Sequence, residues 1–212
     1  MLYLSASNVN FYAKRMGLDL SDDQCQKLVD FGQLLLKWNA VYSLTSVTSE
    51  EDVLKRHLLD SLSFVSAISK RKIQRILDAG SGGGLPAIPL AVVRPDIQVV
   101  MSDSKKKKTA FLQQAILSLG LANAVVVHGR VEELMLGSFD AISCRAFSSL
   151  ARTVSLTSRH LRKGGVWLMM KGKDPVDEIR ELPKEIVVID NEKLIIPDSD
   201  FERRLIVLME KT

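Results

Sequence analysis

Residues 76–103 begin Ile76-Leu77-Asp78-Ala79-Gly80-Ser81-Gly82-Gly83-Gly84-Leu85, run through a helical stretch, and end Val99-Val100-Met101-Ser102-Asp103. A short apolar run, a loop of small residues, a helix and a second apolar run closed by an acid make the strand–loop–helix–strand unit of a nucleoside-cofactor site. Glycine allows the backbone to approach a ligand with no Cβ in between. Asp103, 23 residues beyond Gly80, is placed to accept hydrogen bonds from both ribose hydroxyls.

The same loop discriminates among cofactors. A dinucleotide loop reads G-x-G-x-x-G and aims helix N–H groups at a pyrophosphate. Here Leu85 fills the third glycine's slot, and Pro86 and Pro89 follow. Asp78 would put a negative charge where a pyrophosphate must sit, but it suits a cationic group such as the amino group of S-adenosylmethionine. A glycine cluster alone is compatible with a plain turn. The order strand, Asp, glycine loop, helix, strand, Asp is what points to S-adenosylmethionine, with Asp78, Gly80, Ser81, Gly82 and Leu85 at its methionine end.

The 212 residues are enough for one core domain and an accessory segment. Hydrophobic residues at 46% and charged residues at 25% are ordinary for a globular protein. No apolar run approaches the ~20 residues of a membrane helix, and Met1-Leu2-Tyr3-Leu4-Ser5 lacks the basic and apolar regions of a signal peptide. The two cysteines, Cys25 and Cys144, have no metal-ligand spacing. A cytoplasmic protein is expected, monomeric, with neither metal nor membrane partner. A net charge of +4 permits a polyanionic partner without demonstrating one.

Residues 1–70 read as a helical N-terminal extension and 71–212 as a cofactor-binding domain. Ser21-Asp22-Asp23 starts a helix whose Leu28, Phe31, Leu34, Leu35 and Trp38 recur at helical spacing. After a polar break from Asn39 to Thr48, Ser49 caps a second helix with Asp52 three residues on. Its buried stripe is Val53, Leu54, Leu58, Leu62 and Val65. From Ile73 strands and helices alternate: strands near 73–78, 97–102, 124–128, 139–144 and 165–171, and helices near 84–93, 105–119, 131–136, 147–162 and 174–181. Two strand-like runs, Ile186 to Ile196 and Arg203 to Met209, close the chain. The expected fold is α/β and Rossmann-like: a mostly parallel seven-stranded sheet ending in an antiparallel hairpin, the arrangement of S-adenosylmethionine methyltransferases.

In such a sheet the chemistry lies at the C-terminal strand ends. After the third strand, Val131 and Glu132 are placed to wall an adenine ring and accept from its amino edge; alternatively Glu132 and Glu133 are first-turn acids favoured by the helix dipole. The fourth strand ends Ser143-Cys144-Arg145-Ala146-Phe147, where a methyl acceptor belongs. It lacks the Asp/Asn-Pro-Pro-aromatic motif of exocyclic amine methylation. Cys144 lacks the preceding proline of cytosine C5 enzymes and reads as a small core residue. Arg145 could bind a phosphate, pair with a nearby acid or donate to guanine O6, and a functional role is favoured. Guanine N7 already carries a lone pair and needs no general base, so the missing nucleophile fits N7 methylation, with positioning supplying most of the catalysis. Lys105 to Lys108 are a solvated face or a phosphate track. His57, beside Arg56, is a satisfied buried histidine or an RNA contact.

Taken together, these residues resemble the small-subunit ribosomal RNA methyltransferase G family, also called glucose-inhibited division protein B. The matching stretches are Trp38-Asn39, Tyr42-Ser43-Leu44-Thr45-Ser46, Arg56-His57-Leu58-Leu59-Asp60-Ser61 and Leu77 through Pro89. They continue with Asp103-Ser104, Arg130-Val131-Glu132-Glu133, Ser143 through Phe147, Lys171-Gly172 and Glu202-Arg203-Arg204. The resemblance implies S-adenosylmethionine-dependent N7 methylation of one guanosine in 16S rRNA near the decoding centre, on the rRNA or the small subunit, without a covalent intermediate. It implies cofactor contacts at Gly80, Leu85, Val131, Glu132 and Arg145 and a ribose contact at Asp103. Arg56, His57, Lys171 and Arg203 are the residues expected to meet RNA, with Arg145 positioning the guanosine. Cys144 and Gly83 stand where members vary, and Arg204 where a histidine is frequent.

Overall fold

The computed structural model describes residues 3–211; Met1 and Leu2, which open the N-terminal stretch read above, and Thr212 lie outside the described residues. The N-terminal helices start on hydroxyl caps. Ser5 heads α1 (Ala6–Arg15), and Ser21 and Gln24 cap α2 (Asp22–Tyr42) reciprocally. Ser49 Oγ accepts from the Asp52 amide to begin α3 (Glu50–Asp52). The chain then winds as a π-helical segment over Val53–Leu59 before returning to α geometry in α4 (Asp60–Ile68). The stripe expected from spacing, Val53, Leu54, Leu58, Leu62 and Val65, is completely buried.

Strands β1 (Arg75–Ala79), β2 (Gln98–Asp103), β3 (Ala124–His128), β4 (Phe139–Arg145), β5 (Leu161–Lys171), β6 (Ile186–Lys193) and β7 (Arg204–Glu210) form one sheet in the order β3-β2-β1-β4-β5-β7-β6. The first five are parallel, and β7 runs antiparallel between β5 and β6. The chain travels outward from β1 to β3 and then returns to the other side of β1. The C-terminal ends of β1 and β4 therefore flank the switch point at which doubly wound sheets hold ligands. The connecting helices are α5 (Ala87–Val93), α6 (Lys106–Leu119), α7 (Leu150–Thr157) and α8 (Val176–Arg180).

Several boundaries move from their expected places. The helix expected at 131–136 is only a 3-10 turn, Val131–Glu133: Leu134 is already extended and Gly137 sits at φ +80°. Helix α5 starts three residues late because Gly84, at φ +78°, occupies the turn, where an added Cβ would lie 2.7 Å from Ile88 Cγ1. Helix α7 is shorter than 147–162, and a 3-10 turn over Ser158–His160 follows it. Strand β5 begins at Leu161 rather than near 165, with a register slip against β4 that Gly164 accommodates at φ +73°.

Two apolar clusters flank the sheet. On one face Ile76, Val99 and Met101 join residues of α1, α2, α4, α5 and α6 in a single core, so the N-terminal helices share their interior with the sheet. On the other face Leu77, Ile142, Trp167, Met169 and Leu208 enclose Leu150 and Val154 of α7. Among the described residues no helix is long and apolar enough to cross a membrane.

Candidate active site

A cavity of about 320 Å³ opens at the C-terminal ends of β1, β2, β3 and β4, within the range of small-ligand sites. Gly80, Ser102, Asp103, Gly129, Arg130, Val131 and Glu132 line one side of it. Ala146, Phe147, Ser148, Arg152 and Leu156 face them, and Ser104, Lys105 and Lys108 complete the rim. Thus Gly80, Asp103, Val131 and Glu132 stand on the cavity wall as expected, whereas Asp78, Ser81, Gly82, Leu85 and Arg145 do not.

Asp103, at the end of β2, holds the glycine loop in place. Its Oδ2 accepts from the Gly82 amide at 2.9 Å and its Oδ1 from the Lys105 amide at 2.9 Å. Each oxygen keeps a second lone pair for a ligand hydroxyl. Lys108 Nζ stands 3.8 Å from Oδ2, so this lysine is turned into the cavity and is not part of a solvated face. Gly80 has φ +69°, and an added Cβ would lie 2.2 Å from the ring of Phe147. Only glycine permits both that conformation and that approach.

Asp78 is buried and accepts from Ser143 Oγ at 2.7 Å. Burial raises its carboxyl from an ordinary 3.8 to about 6, against the lowering influence of the Ser143 and Ser81 hydroxyls. A buried carboxyl of this kind gains from an approaching cation, which is the chemistry expected of an amino-group partner. After β3, His160 Nε2 donates to the Val131 carbonyl at 2.9 Å and Arg159 Nη1 to the Glu132 carbonyl at 3.0 Å. These bonds fix the turn whose side chains line the wall.

Beyond the cavity lies a second group of charges. Arg145 Nη1 donates to Asp60 Oδ2 at 2.8 Å, and Arg203 Nε to Asp60 Oδ1 at 2.6 Å. Lys171 pairs with Glu178 at 2.7 Å and donates to the Ser148 carbonyl at 3.0 Å. Arg56, pairing with Asp52 at 3.1 Å, keeps 56% of its side chain exposed. His57 is buried: Nδ1 donates to the Arg56 carbonyl at 2.9 Å, which leaves Nε2 to accept from Thr45 Oγ1 at 2.8 Å. Burial, then the Arg145 charge, lowers His57 to about 4, so the ring is neutral. Burial pushes the Cys144 thiol up to about 12, far from a thiolate nucleophile.

Ser148, Arg152 and Leu156 on the cavity wall were passed over by the pattern reading, and Asp60, though quoted, was given no role. Arg152 and Leu156 had a signal, since they lie four apart on a helix capped by Ser149 soon after β4. Asp60 had no such local signal. Among the described residues no group of three or more His, Cys, Asp or Glu could hold a metal.

Comparison with known proteins bears on this geometry. The family described as rRNA small subunit methyltransferase G (GidB) matches residues 24–207. The chain belongs to this family. A ribosomal RNA small subunit methyltransferase G of Neisseria meningitidis serogroup A is 45% identical over 196 residues, covering 92% of this chain and 94% of the relative. The namesake of Acidovorax sp. strain JS42 is 44% identical over 207 residues, covering 92% and 91%. A solved S-adenosylmethionine-dependent methyltransferase of Thiobacillus denitrificans, in complex with S-adenosylhomocysteine, shares the fold at a TM-score of 0.52 and 14% identity, covering 72% of this chain and 91% of its own. The methyltransferase G match includes every residue of the cavity wall and of the Asp60 group, and leaves α1 outside.

Proposed function

We propose that the protein transfers a methyl group from S-adenosylmethionine to N7 of a guanosine in 16S rRNA near the decoding centre, directly and without a covalent enzyme intermediate. Membership of the methyltransferase G family carries this reading. The cavity supports it, because its donors and acceptors fit the cofactor. Asp103 would take the ribose hydroxyls, Val131 and Glu132 the adenine and the Gly80 backbone the methionine chain; Asp78, buried outside the cavity lining, would attract the ammonium, with Ser81, Gly82 and Leu85 shaping the loop. When bound, the cofactor supplies an electrophilic methyl on a sulfonium.

The residues at the acceptor strand support direct transfer. Cys144 is buried with its thiol held protonated, and N7 requires no proton to be removed. What the chain must do is orient the base and exclude water. Arg145, Lys171 and Arg203, each with 17–19% of the side chain exposed, form a cationic edge next to the cavity, and Arg56 extends it. His57, buried and doubly bonded, acts through the conformation of the Arg56 turn.

The test is incubation with methyl-labelled cofactor and small subunits from cells lacking this activity, followed by nucleoside analysis. Label in 7-methylguanosine of 16S rRNA is expected. Label in another nucleoside would overturn the N7 assignment.

A further inference from the structure

We infer that Asp60 is a positioning residue for the methyl transfer, a buried carboxylate that aims Arg145 at the acceptor base while anchoring Arg203; this rests on the functional reading above. Asp60 is wholly buried, and an ionised carboxylate taken out of water requires compensating partners. It divides its oxygens between two arginines, 85 and 143 residues away, that come from the end of β4 and the segment entering β7. Arg145 Nη1 reaches the Arg56 carbonyl as well, at 3.4 Å. Asp60 is the first residue beyond the π-helical segment that contains Arg56. Such segments are uncommon within helices and cluster at functional sites. Here the winding brings a carbonyl and a carboxylate to bear on one guanidinium.

Among the described residues, Nε and Nη2 of Arg145 and both Nη atoms of Arg203 have no hydrogen-bond partner in the protein. A guanidinium held at one nitrogen can donate with another to guanine O6, leaving the N7 lone pair clear for the methyl group. The Nη fork of Arg203, held through Nε, matches a phosphate. Asp60 itself touches neither, since it has no exposed surface.

A strut that merely ties α4 to the sheet, or a charge that merely balances two arginines, predicts something different. Removing Asp60's charge raises the local positive charge and strengthens attraction to RNA. Those roles therefore leave kcat unchanged and KM unchanged or lower. Positioning predicts a loss in kcat itself.

The experiment is Asp60→Asn in the full chain, assayed with labelled cofactor and saturating unmethylated small subunits. A fall in kcat on the order of 100-fold is expected, with cofactor affinity by calorimetry unchanged; a wild-type kcat overturns the inference. In an Arg145→Gln background the same substitution should cost little more, because the two act as one unit, and fully additive losses also overturn it. Should Asp60→Asn fail to fold by circular dichroism, Arg203→Gln decides: a lower kcat together with a higher KM is expected, and a higher KM alone overturns it. If the wild type yields no 7-methylguanosine, the functional reading falls and takes this inference with it. Wild-type activity with an unimpaired Asp60→Asn overturns the inference alone.

Discussion

Asp78→Asn separates the stability of this site from its function. In the native protein the Asp78 carboxyl is lifted from 3.8 to about 6 by burial, while in the unfolded chain it ionises at its ordinary value. Between those two values the native state holds a proton that the unfolded state has lost, so rising pH destabilises the fold. The displacement corresponds to about 3 kcal/mol once both states are ionised. Asparagine keeps the shape and can still accept from Ser143 but never ionises. The variant should therefore match the wild type near pH 4 and become the more stable of the two by pH 8, by at most about 3 kcal/mol. For a chain of this size that is a melting-temperature gap growing by up to about 10 °C. Scanning calorimetry of both proteins at the two pH values, without cofactor, measures it. A gap that is equal at pH 4 and pH 8, or that favours the wild type more at pH 8, refutes the assignment. If Asp78 attracts the cofactor's ammonium as proposed, the same variant should bind S-adenosylmethionine on the order of 10- to 100-fold more weakly.

Other outcomes follow from the same geometry. Asp103→Ala should weaken cofactor binding strongly, because it removes the clamp on the Gly82 and Lys105 amides together with the acceptor proposed for the ribose; unchanged affinity by calorimetry sinks the ribose assignment. Cys144→Ser should leave methyl transfer near normal, and a complete loss would return a thiolate mechanism to consideration. His57, lowered from 6.5 to about 4, takes up a proton in the unfolded chain before the native one. Stability is therefore lost as pH falls through that window, by about 3 kcal/mol. His57→Gln should escape this loss, so its stability deficit against the wild type narrows between pH 7 and pH 4; a constant deficit refutes the buried neutral ring.

The fold was legible wherever one local cause set the conformation. The hydroxyl caps Ser21 and Ser49, the burial of the apolar stripe from Val53 to Val65 and the alternation after Ile73 each had a cause within a few residues, and each reads correctly. Boundaries were lost where a glycine interrupted the pattern, as at Gly84 and Gly164. The Val53–Leu59 segment was invisible for another reason, since its apolar spacing suits an α-helix equally well. In the site, acids and glycines at strand ends were readable because topology alone puts them there. The orientation of a long side chain was not. Lys108 lines the cavity beside Asp103, and Arg145, just outside the lining, pairs with an Asp60 that only tertiary structure brings to it.

The core that α2 and α4 share with α5 and α6 has a consequence for synthesis of the chain. Leu28, Phe31, Leu35, Leu58 and Leu62 are translated first, yet their cluster includes Ile88, Leu90, Phe111, Leu112 and Leu121. At roughly 5–20 residues per second, the stretch from Ile68 to Leu121 takes about 3–10 s to emerge. Throughout that interval the leading helices lack the later residues of their shared core. A nascent chain stalled near residue 80 should therefore carry an exposed apolar face of the kind chaperones bind, and lose it once α6 has cleared the ribosome.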